Sequence, residues 1–454
     1  MSIFHACDIR GIAGKDLSDV MARKIGLAIG TRLTGQAVVV GGDIRLSTPA
    51  LQRILIDSLC ESGCRVIDIG TVATPVFYFA LKTTGAAGGV MVTASHNPAQ
   101  YNGFKLVFGQ QPVSEDDINE IACMVEREEK VNGAGTWDKL SVIEAYVRQT
   151  AEKADAGNLK IVLDAGNGAT SRIAPRLYRA LGYQVEELFC AADGAFPNRP
   201  PNPALAENLA ALGEAVRRSG AACGIAFDGD GDRVGFVDEN GRPVDNDDIL
   251  ILIAKSYLET EHGSIVYDAK CSMVVPEEIA LAGGTAVMAR AGHTFSKAAF
   301  LRENALFAGE ISGHFFFREL GYDDGMFAGL KVCEFIARHG ALSSLIDGIP
   351  NYLLTPDIRV PYTGHDKEAI LDALAKQLTA YKPNRIDGVR IEFSDGWAMI
   401  RASVTEPLFT LRFEARTPER LREIAGILLA ALPLPVRAAV EAKLPQSLAK
   451  EKRS

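Results

Sequence analysis

The sequence has no run of 18 or more apolar residues, so it offers no candidate membrane-spanning helix. It also lacks a basic excess: 48 Lys and Arg stand against 57 Asp and Glu, for a formal net charge of −9. A chain that must neutralise nucleic-acid phosphates needs the opposite balance, which excludes nucleic acid as a main partner. Small anionic ligands stay open, because a local pocket can be basic on an acidic protein. The opening residues, MSIFHACDIRG, show no basic start followed by an apolar stretch, and no secretion signal is expected. The eight cysteines form no CxxC pair; the nearest two, Cys60 and Cys64, read as neighbours in one helical pattern. Free thiols in a reducing cytoplasm are the expectation.

What is present is an ordinary globular composition, 47% hydrophobic and 23% charged, over 454 residues. That length suggests roughly three domains of about 150 residues. Periodicity shows one plan written three times. Strands over 37–45, 64–70 and 88–94 alternate with helices over 48–63 and 74–85. The second copy has strands over 160–168, 183–189 and 223–233, with helices over 171–182 and 204–220. The third has strands over 264–270, 285–290 and 305–314, with helices over 274–284 and 293–304. Runs of Val, Ile and Ala suit strands covered on both faces, and strand–helix alternation gives layered α/β domains. After about residue 350 the pattern changes to that of a smaller α+β domain, ending in a polar, frayed tail, PQSLAKEKRS.

In each copy a polar motif follows the third strand: TASHNP (93–98), DGDGDR (228–233) and GEISGH (309–314). Ligands bind beyond the carboxyl ends of strands in open α/β sheets, so three such ends turned to one centre build a single cleft. Asp228, Asp230 and Asp232 crowd three carboxylates into one turn, where each pair about 4 Å apart repels by roughly 4 kcal/mol at an effective dielectric near 20. Hard oxygen ligands between glycines suit Mg²⁺. A solvated acidic turn is the plain alternative. A calcium loop of the EF-hand type fails, since Arg233 stands where glycine is needed and the loop follows a strand. Arg233 beside the carboxylates suits a phosphate clamp.

The hydroxyl of Ser95 can carry a covalent intermediate if activated, though Ser-His-Asn-Pro also suits a simple turn. His96 can donate to a phosphate. Lys105 can act as a general acid or base, provided burial and neighbours lower its pKa. Strand alternation points Glu310 and Ser312 the same way, a pair suited to sugar hydroxyls. His293 opens a helix after Gly292, a position suited to an anion. Arg401, Ser403 and Thr405 combine a guanidinium and two hydroxyls at a turn, a cradle for a phosphate monoester. His5, His262, His339 and His365 read as ordinary surface residues.

The four motifs in this order resemble the α-D-phosphohexomutase superfamily, in its bacterial phosphomannomutase/phosphoglucomutase branch. The resemblance runs from Asp8-Ile9-Arg10-Gly11 to the Arg401 loop. It implies three similar α/β domains, each a sheet layered between helices, plus the smaller α+β C-terminal domain, around one central cleft. The expected domains are 1–150, 151–250, 251–354 and 355–454. It implies that Ser95 is phosphorylated and that Asp228, Asp230 and Asp232 hold Mg²⁺ together with a phosphoserine oxygen. Arg10, Lys105, Arg233 and His96 would surround the transferred group. Glu310 and Ser312 would read the sugar 3- and 4-hydroxyls; Arg401, Ser403 and Thr405 would hold the other phosphate, with Lys270 and His293 nearby. The implied reaction interconverts hexose 1- and 6-phosphates through a hexose 1,6-bisphosphate, in the cytoplasm.

Two positions depart from that pattern. Cys7 stands where related enzymes often have tyrosine, and Val404 where they often have asparagine; a lost side-chain bond to phosphate is worth on the order of 1 to 3 kcal/mol. A phosphoglucosamine mutase is the nearer rival, ranked lower because those enzymes tend to carry alanine at Gly231 and isoleucine at Phe104. A sugar-phosphate or metal-binding protein without catalysis is the rival from another class.

Overall fold

A computed structural model describes residues 3–109, 111–364, 366–403 and 407–444. Its first three sheets share one strand plan. In the first, Arg65–Thr71, Ala37–Gly42 and Gly88–Val92 lie parallel in that spatial order, and Tyr101–Phe108 returns antiparallel beside Gly88–Val92. The second repeats this with Gln184–Leu188, Lys160–Asp164, Cys223–Phe227 and antiparallel Val234–Asp238. The third does so with Thr285–Ala289, Ser264–Asp268, Phe307–Gly309 and antiparallel Phe315–Phe317. The central strands are buried on both faces, as their Val-Ile content requires. The antiparallel fourth strand is the main difference from the sequence expectation. It makes each motif a loop between two neighbouring strands, anchored at both ends, where an open strand end was expected.

Three local expectations change. The helix over 204–220 begins as a 3₁₀ turn, Ala206–Leu209, before Ala210–Ser219. The helix over 171–182 likewise splits into Ala169–Arg172 and Ala174–Ala180, the second opening with Pro175, which lacks the N–H that an unbroken helix would use. Cys60 sits in the helix Thr48–Glu61, whereas Cys64 lies beyond the left-handed Gly63 at the edge of the next strand. The two therefore belong to different elements.

The fourth sheet is wholly antiparallel, in the order Leu353–Leu354, Leu408–Ala415, Gly396–Ala402, Val389–Phe393, with Ile358–Pro361 also on Leu408–Ala415. Helices Lys367–Gln377 and Pro418–Ala430 cover it around a core of its own that includes Ile391, Phe409 and Leu428. Its first strand thus starts before residue 355. Helix Asn246–Leu258, which starts before 251, packs on Val274–Leu281 and Gly325–His339 in the third unit.

The units are fastened to one another. Helix Gly325–His339 of the third packs on strands Cys223–Phe227 and Val234–Asp238 of the second, where the Tyr178 hydroxyl donates to the Met326 carbonyl (2.8 Å). The fourth grips the Asp268–Met273 segment: Arg390 and Arg412 donate to the carbonyls of Ala269 and Lys270 (2.6 Å each), and Glu414 accepts from the Met273 N–H (2.7 Å). Among the described residues no helix is long and apolar enough to cross a membrane.

Candidate active site

The first motif loop leaves Gly88–Val92 and puts Ser95 in a left-handed conformation, φ 49°. For a residue with a Cβ this costs about 1–2 kcal/mol, so the surroundings must impose it. The Ser95 N–H donates to Thr93 Oγ1 (2.9 Å), and its buried hydroxyl donates to Asp228 Oδ2 (2.7 Å) and lies 3.3 Å from His96 Nδ1. Burial, then the Arg233 and Arg10 guanidinium groups, hold the His96 imidazole well below its ordinary range, favouring the neutral ring. Arg10 lies on the strand Ile9–Ile12, is paired with Asp8, and donates to Asn97 Oδ1 (2.7 Å).

The second motif follows Cys223–Phe227 and places Asp228, Asp230 and Asp232 in a fully buried turn, with one oxygen of each within 4.8 Å of the others. Gly229 lets this turn meet the serine loop, because a Cβ there would sit 2.5 Å from the Ser95 carbonyl oxygen. Burial raises the Asp228 carboxyl, and Asp230 and Asp232 raise it further. Asp230 accepts from Thr74 Oγ1 (2.7 Å) and from Lys105 Nζ (3.2 Å), and Lys105 also contacts Asp232. Oδ1 of Asp230 and Oδ1 of Asp232 are buried with no hydrogen-bond partner. Orphaned buried oxygens in a cluster of three carboxylates fit a divalent cation, and the donor set passes that test.

Lys105 arrives on the antiparallel strand Tyr101–Phe108, opposite Met91. Burial alone would lower its pKa, but Asp230 and Asp232 outweigh it and the ammonium is held well above its usual value. The lowered pKa expected from the sequence is therefore reversed in this geometry.

In the third motif, Glu310 and Ser312 come together by a turn: the Gly313 N–H donates to the Glu310 carbonyl (3.0 Å), and Gly313 sits at φ 91°. The strand has already ended at Gly309, so alternation is not what pairs them. Ser312 Oγ donates to Glu310 Oε2 (2.7 Å), and the other oxygen of Glu310 is buried without a partner. The same loop carries His314, which the sequence reading left without a role. Arg233 Nε donates to His314 Nε2 (2.9 Å), so that nitrogen is the acceptor and Nδ1–H faces Asp323 Oδ2 (2.8 Å). Asp323 also meets His293 Nε2 (3.0 Å).

Ser95, Lys105, Arg10, His96, Arg233, His293, Arg401 and Ser403 all line one cleft of about 930 Å³. Arg401 is anchored on Asp387 (3.0 Å). The three aspartates do not line it; they are fully buried behind it, in contact with the lining residues Ser95 and Lys105. Lys270, Glu310 and Ser312 do not line the same volume; Lys270 is engaged with Asp357, and Glu310 is buried. Thr405 and Val404 lie outside the described residues, as do His365 and the 445–454 tail. His262 and His339 are exposed, but His5 is half-buried and lines the cleft. Cys7 also lines it, with Sγ 3.1 Å from Thr294 Oγ1, and burial pushes its thiol up to about 11.

Four family signatures match in consecutive blocks: phosphoglucomutase/phosphomannomutase alpha/beta/alpha domain I over 1–132, domain II over 141–241, domain III over 245–352, and the C-terminal domain over 358–431. The chain belongs to the phosphoglucomutase/phosphomannomutase family. It is 39% identical over 436 residues to a Pseudomonas putida phosphomannomutase/phosphoglucomutase, covering 94% of each chain. It is 38% identical over 439 residues to a Neisseria gonorrhoeae phosphoglucomutase, covering 93% of this chain and 95% of that one. A solved phosphoglucomutase/phosphomannomutase family protein from Burkholderia thailandensis superposes with a TM-score of 0.88 at 36% identity, covering 98% of both chains. The motif order read from the sequence and the three repeated sheets agree with this family assignment.

Residues that sequence reasoning missed share one property: they act from behind the motifs. Thr74 opens a helix and reaches Asp230. Asp323 aligns two histidines from a neighbouring strand. Asp43 and Arg45 hold the serine loop, and their only signal was a second Asp-Ile-Arg triplet after the one at 8–10.

Proposed function

We propose that this enzyme interconverts hexose 1-phosphates and hexose 6-phosphates of mannose, glucose or both, through a phosphorylated Ser95 and a hexose 1,6-bisphosphate. The observation that carries the reading is the Ser95 hydroxyl 2.7 Å from Asp228, on a residue that lines one cleft with Arg10, Lys105, Arg233 and Arg401. The relatives' names, phosphomannomutase/phosphoglucomutase and phosphoglucomutase, support this substrate class over a glucosamine phosphate. Asp228, Asp230 and Asp232, with Ser95, would hold Mg²⁺, which supplies positive charge beside the phosphoryl oxygens.

In the first half-reaction the bond from phosphorus to Ser95 Oγ breaks as one forms to the oxygen of the free sugar hydroxyl, whose proton leaves to solvent in the open cleft and replaces the one that Ser95 Oγ takes up. Lys105, its proton held by two carboxylates, serves as a cation beside the phosphoryl group and as a proton donor to the departing serine oxygen. Arg10 and Arg233 neutralise the phosphoryl oxygens, and neutral His96 donates a hydrogen bond there. The bisphosphate turns over, and its second phosphoryl returns to Ser95. Both poses must satisfy one sugar site. Glu310 and Ser312, on the 3- and 4-hydroxyls between the two phosphate positions, tolerate that inversion. Arg401, Ser403 and Thr405 would hold the other phosphate with His293 beside it, and Lys270 would reach it only on leaving Asp357. The substrate is a free cytoplasmic metabolite.

The test compares turnover of mannose 1-phosphate, glucose 1-phosphate and glucosamine 1-phosphate, with intact mass reporting the phosphoryl on Ser95. Ser95→Ala should carry no phosphoryl and show no mutase turnover. Full-rate isomerisation by that variant would remove the basis of the reading.

A further inference from the structure

Behind the Ser95 loop lies an ion pair shut off from solvent, Asp43 and Arg45. Arg45 Nε donates to Asp43 Oδ2 (3.0 Å). Its Nη1 donates to the carbonyls of Pro98 (2.7 Å) and Tyr101 (3.1 Å), and its Nη2 to those of Ser95 (2.7 Å) and Asn97 (2.7 Å). A guanidinium has five N–H donors, and all five are used. Asp43 is equally full. Oδ1 accepts from the Arg45 N–H (2.9 Å) and Thr48 Oγ1 (2.7 Å), and Oδ2 also accepts from Thr93 Oγ1 (2.8 Å). Thr93 Oγ1 in turn accepts the Ser95 N–H (2.9 Å). Both backbone polar groups of Ser95 thus end on this pair, the carbonyl directly and the N–H through Thr93.

We propose that Asp43 and Arg45 are positioning residues that hold the Ser95 hydroxyl in line for phosphoryl transfer. The inference rests on the phosphoserine reading above. The pair explains how a serine stays left-handed next to Asp228: one guanidinium fastens the loop at four carbonyls between Ser95 and Tyr101. The same device stands under the second motif. Arg199 Nε donates to Asp164 Oδ2 (2.6 Å) and its Nη2 to the carbonyl of Phe227 (2.8 Å), the residue before Asp228. In the third unit Asp268 Oδ2 accepts directly from the Ile311 N–H (2.9 Å) in the sugar loop. Asp43, Asp164 and Asp268 stand at the ends of equivalent strands, and each also caps the N–H two residues on. The repeat places an anchor beneath each motif, and the anchor beneath the serine is the most elaborate.

Three variants test this. Arg45→Lys keeps the charge but offers three donors to five acceptors. Thr93→Val keeps the shape and loses both links. The measurement is the rate at which metal-loaded, dephosphorylated enzyme takes a phosphoryl from glucose 1,6-bisphosphate, followed by intact mass. Mutase kcat and KM are recorded alongside, at a temperature where circular dichroism shows each variant folded. Uptake and kcat should fall on the order of 100-fold, the scale expected of a displacement near 1 Å, with KM within about threefold. Guanidinium added to Arg45→Ala should recover part of the uptake. Should Arg45→Lys fail to fold, Thr93→Val decides. Folded variants that take up phosphoryl within about threefold of wild type would overturn the inference and leave the phosphoserine reading intact. A wild-type enzyme that takes up none would instead overturn that reading.

Discussion

Replacing Lys105 by methionine should tighten the binding of a divalent cation while stopping turnover. Lys105 Nζ lies 3.2 Å from Asp230 Oδ2 and touches Asp232 Oδ2, so it occupies carboxylates that a metal needs. At an effective dielectric near 20 each contact is worth about 5 kcal/mol of gross attraction. The carboxylate oxygens, within 4.8 Å of one another, repel by about 3 kcal/mol per pair on the same scale. Removing the ammonium changes the formal charge of the cluster from −2 to −3. Without metal the cluster relieves this by taking up a proton, so the net effect is far smaller than the gross terms. We expect Mg²⁺ to bind at least 10-fold tighter to Lys105→Met at pH 8, about 1.4 kcal/mol by titration calorimetry. The metal-free variant should melt below wild type and recover on adding Mg²⁺. Affinity equal to or weaker than wild type at that pH would refute competition between Lys105 and the metal.

Three further outcomes are expected. Gly229→Ala would place a Cβ 2.5 Å from the Ser95 carbonyl, so the serine loop must shift; kcat at saturating substrate should fall at least about 10-fold, and an unchanged kcat would show that the loop has room. Arg390 stacks 4.0 Å from the Trp397 ring and donates to the Ala269 carbonyl, so Arg390→Ala should lose about 3 kcal/mol in urea unfolding, with the C-terminal unit loosening first under limited proteolysis. With its thiol pushed up to about 11, Cys7 holds little thiolate at pH 8; exposed Cys123 should react with iodoacetamide well before it, as peptide mass mapping will show.

The parts of the fold legible in the sequence were those with local signals. Val38-Val39-Val40 and Ile161-Val162-Leu163 announce doubly covered strands, and the polar motifs mark where they end. The antiparallel fourth strands were missed because Tyr101–Phe108 and Phe315–Phe317 begin within a few residues of the motifs and carry no helix to separate them. Site residues carried on the motifs could be named; residues acting through tertiary contact could not. Arg45 meets Ser95 across 50 positions, Thr74 meets Asp230 across 156, and nothing in sequence spacing reports either pairing. Lys105 shows the converse case: the residue was visible, but the sign of its pKa shift depends on two carboxylates more than 120 positions away.

The apolar interior also constrains how the chain is made. One core joins Val39 and Met91 of the first unit to Ile161, Ile225, Phe327 and Ile336, whereas a second is confined to the first unit and a third to the last. On a ribosome adding about 5–20 residues per second, one side of the first sheet can close early. Its other side takes helix Thr74–Thr84 early, but the outer face of that helix, which packs on Tyr322–Asp323, waits about 10–40 seconds for roughly 200 further residues with its apolar surface bare. Nascent chains halted near residue 250 should therefore be bound by trigger-type holdases, and those released after about residue 350 should not.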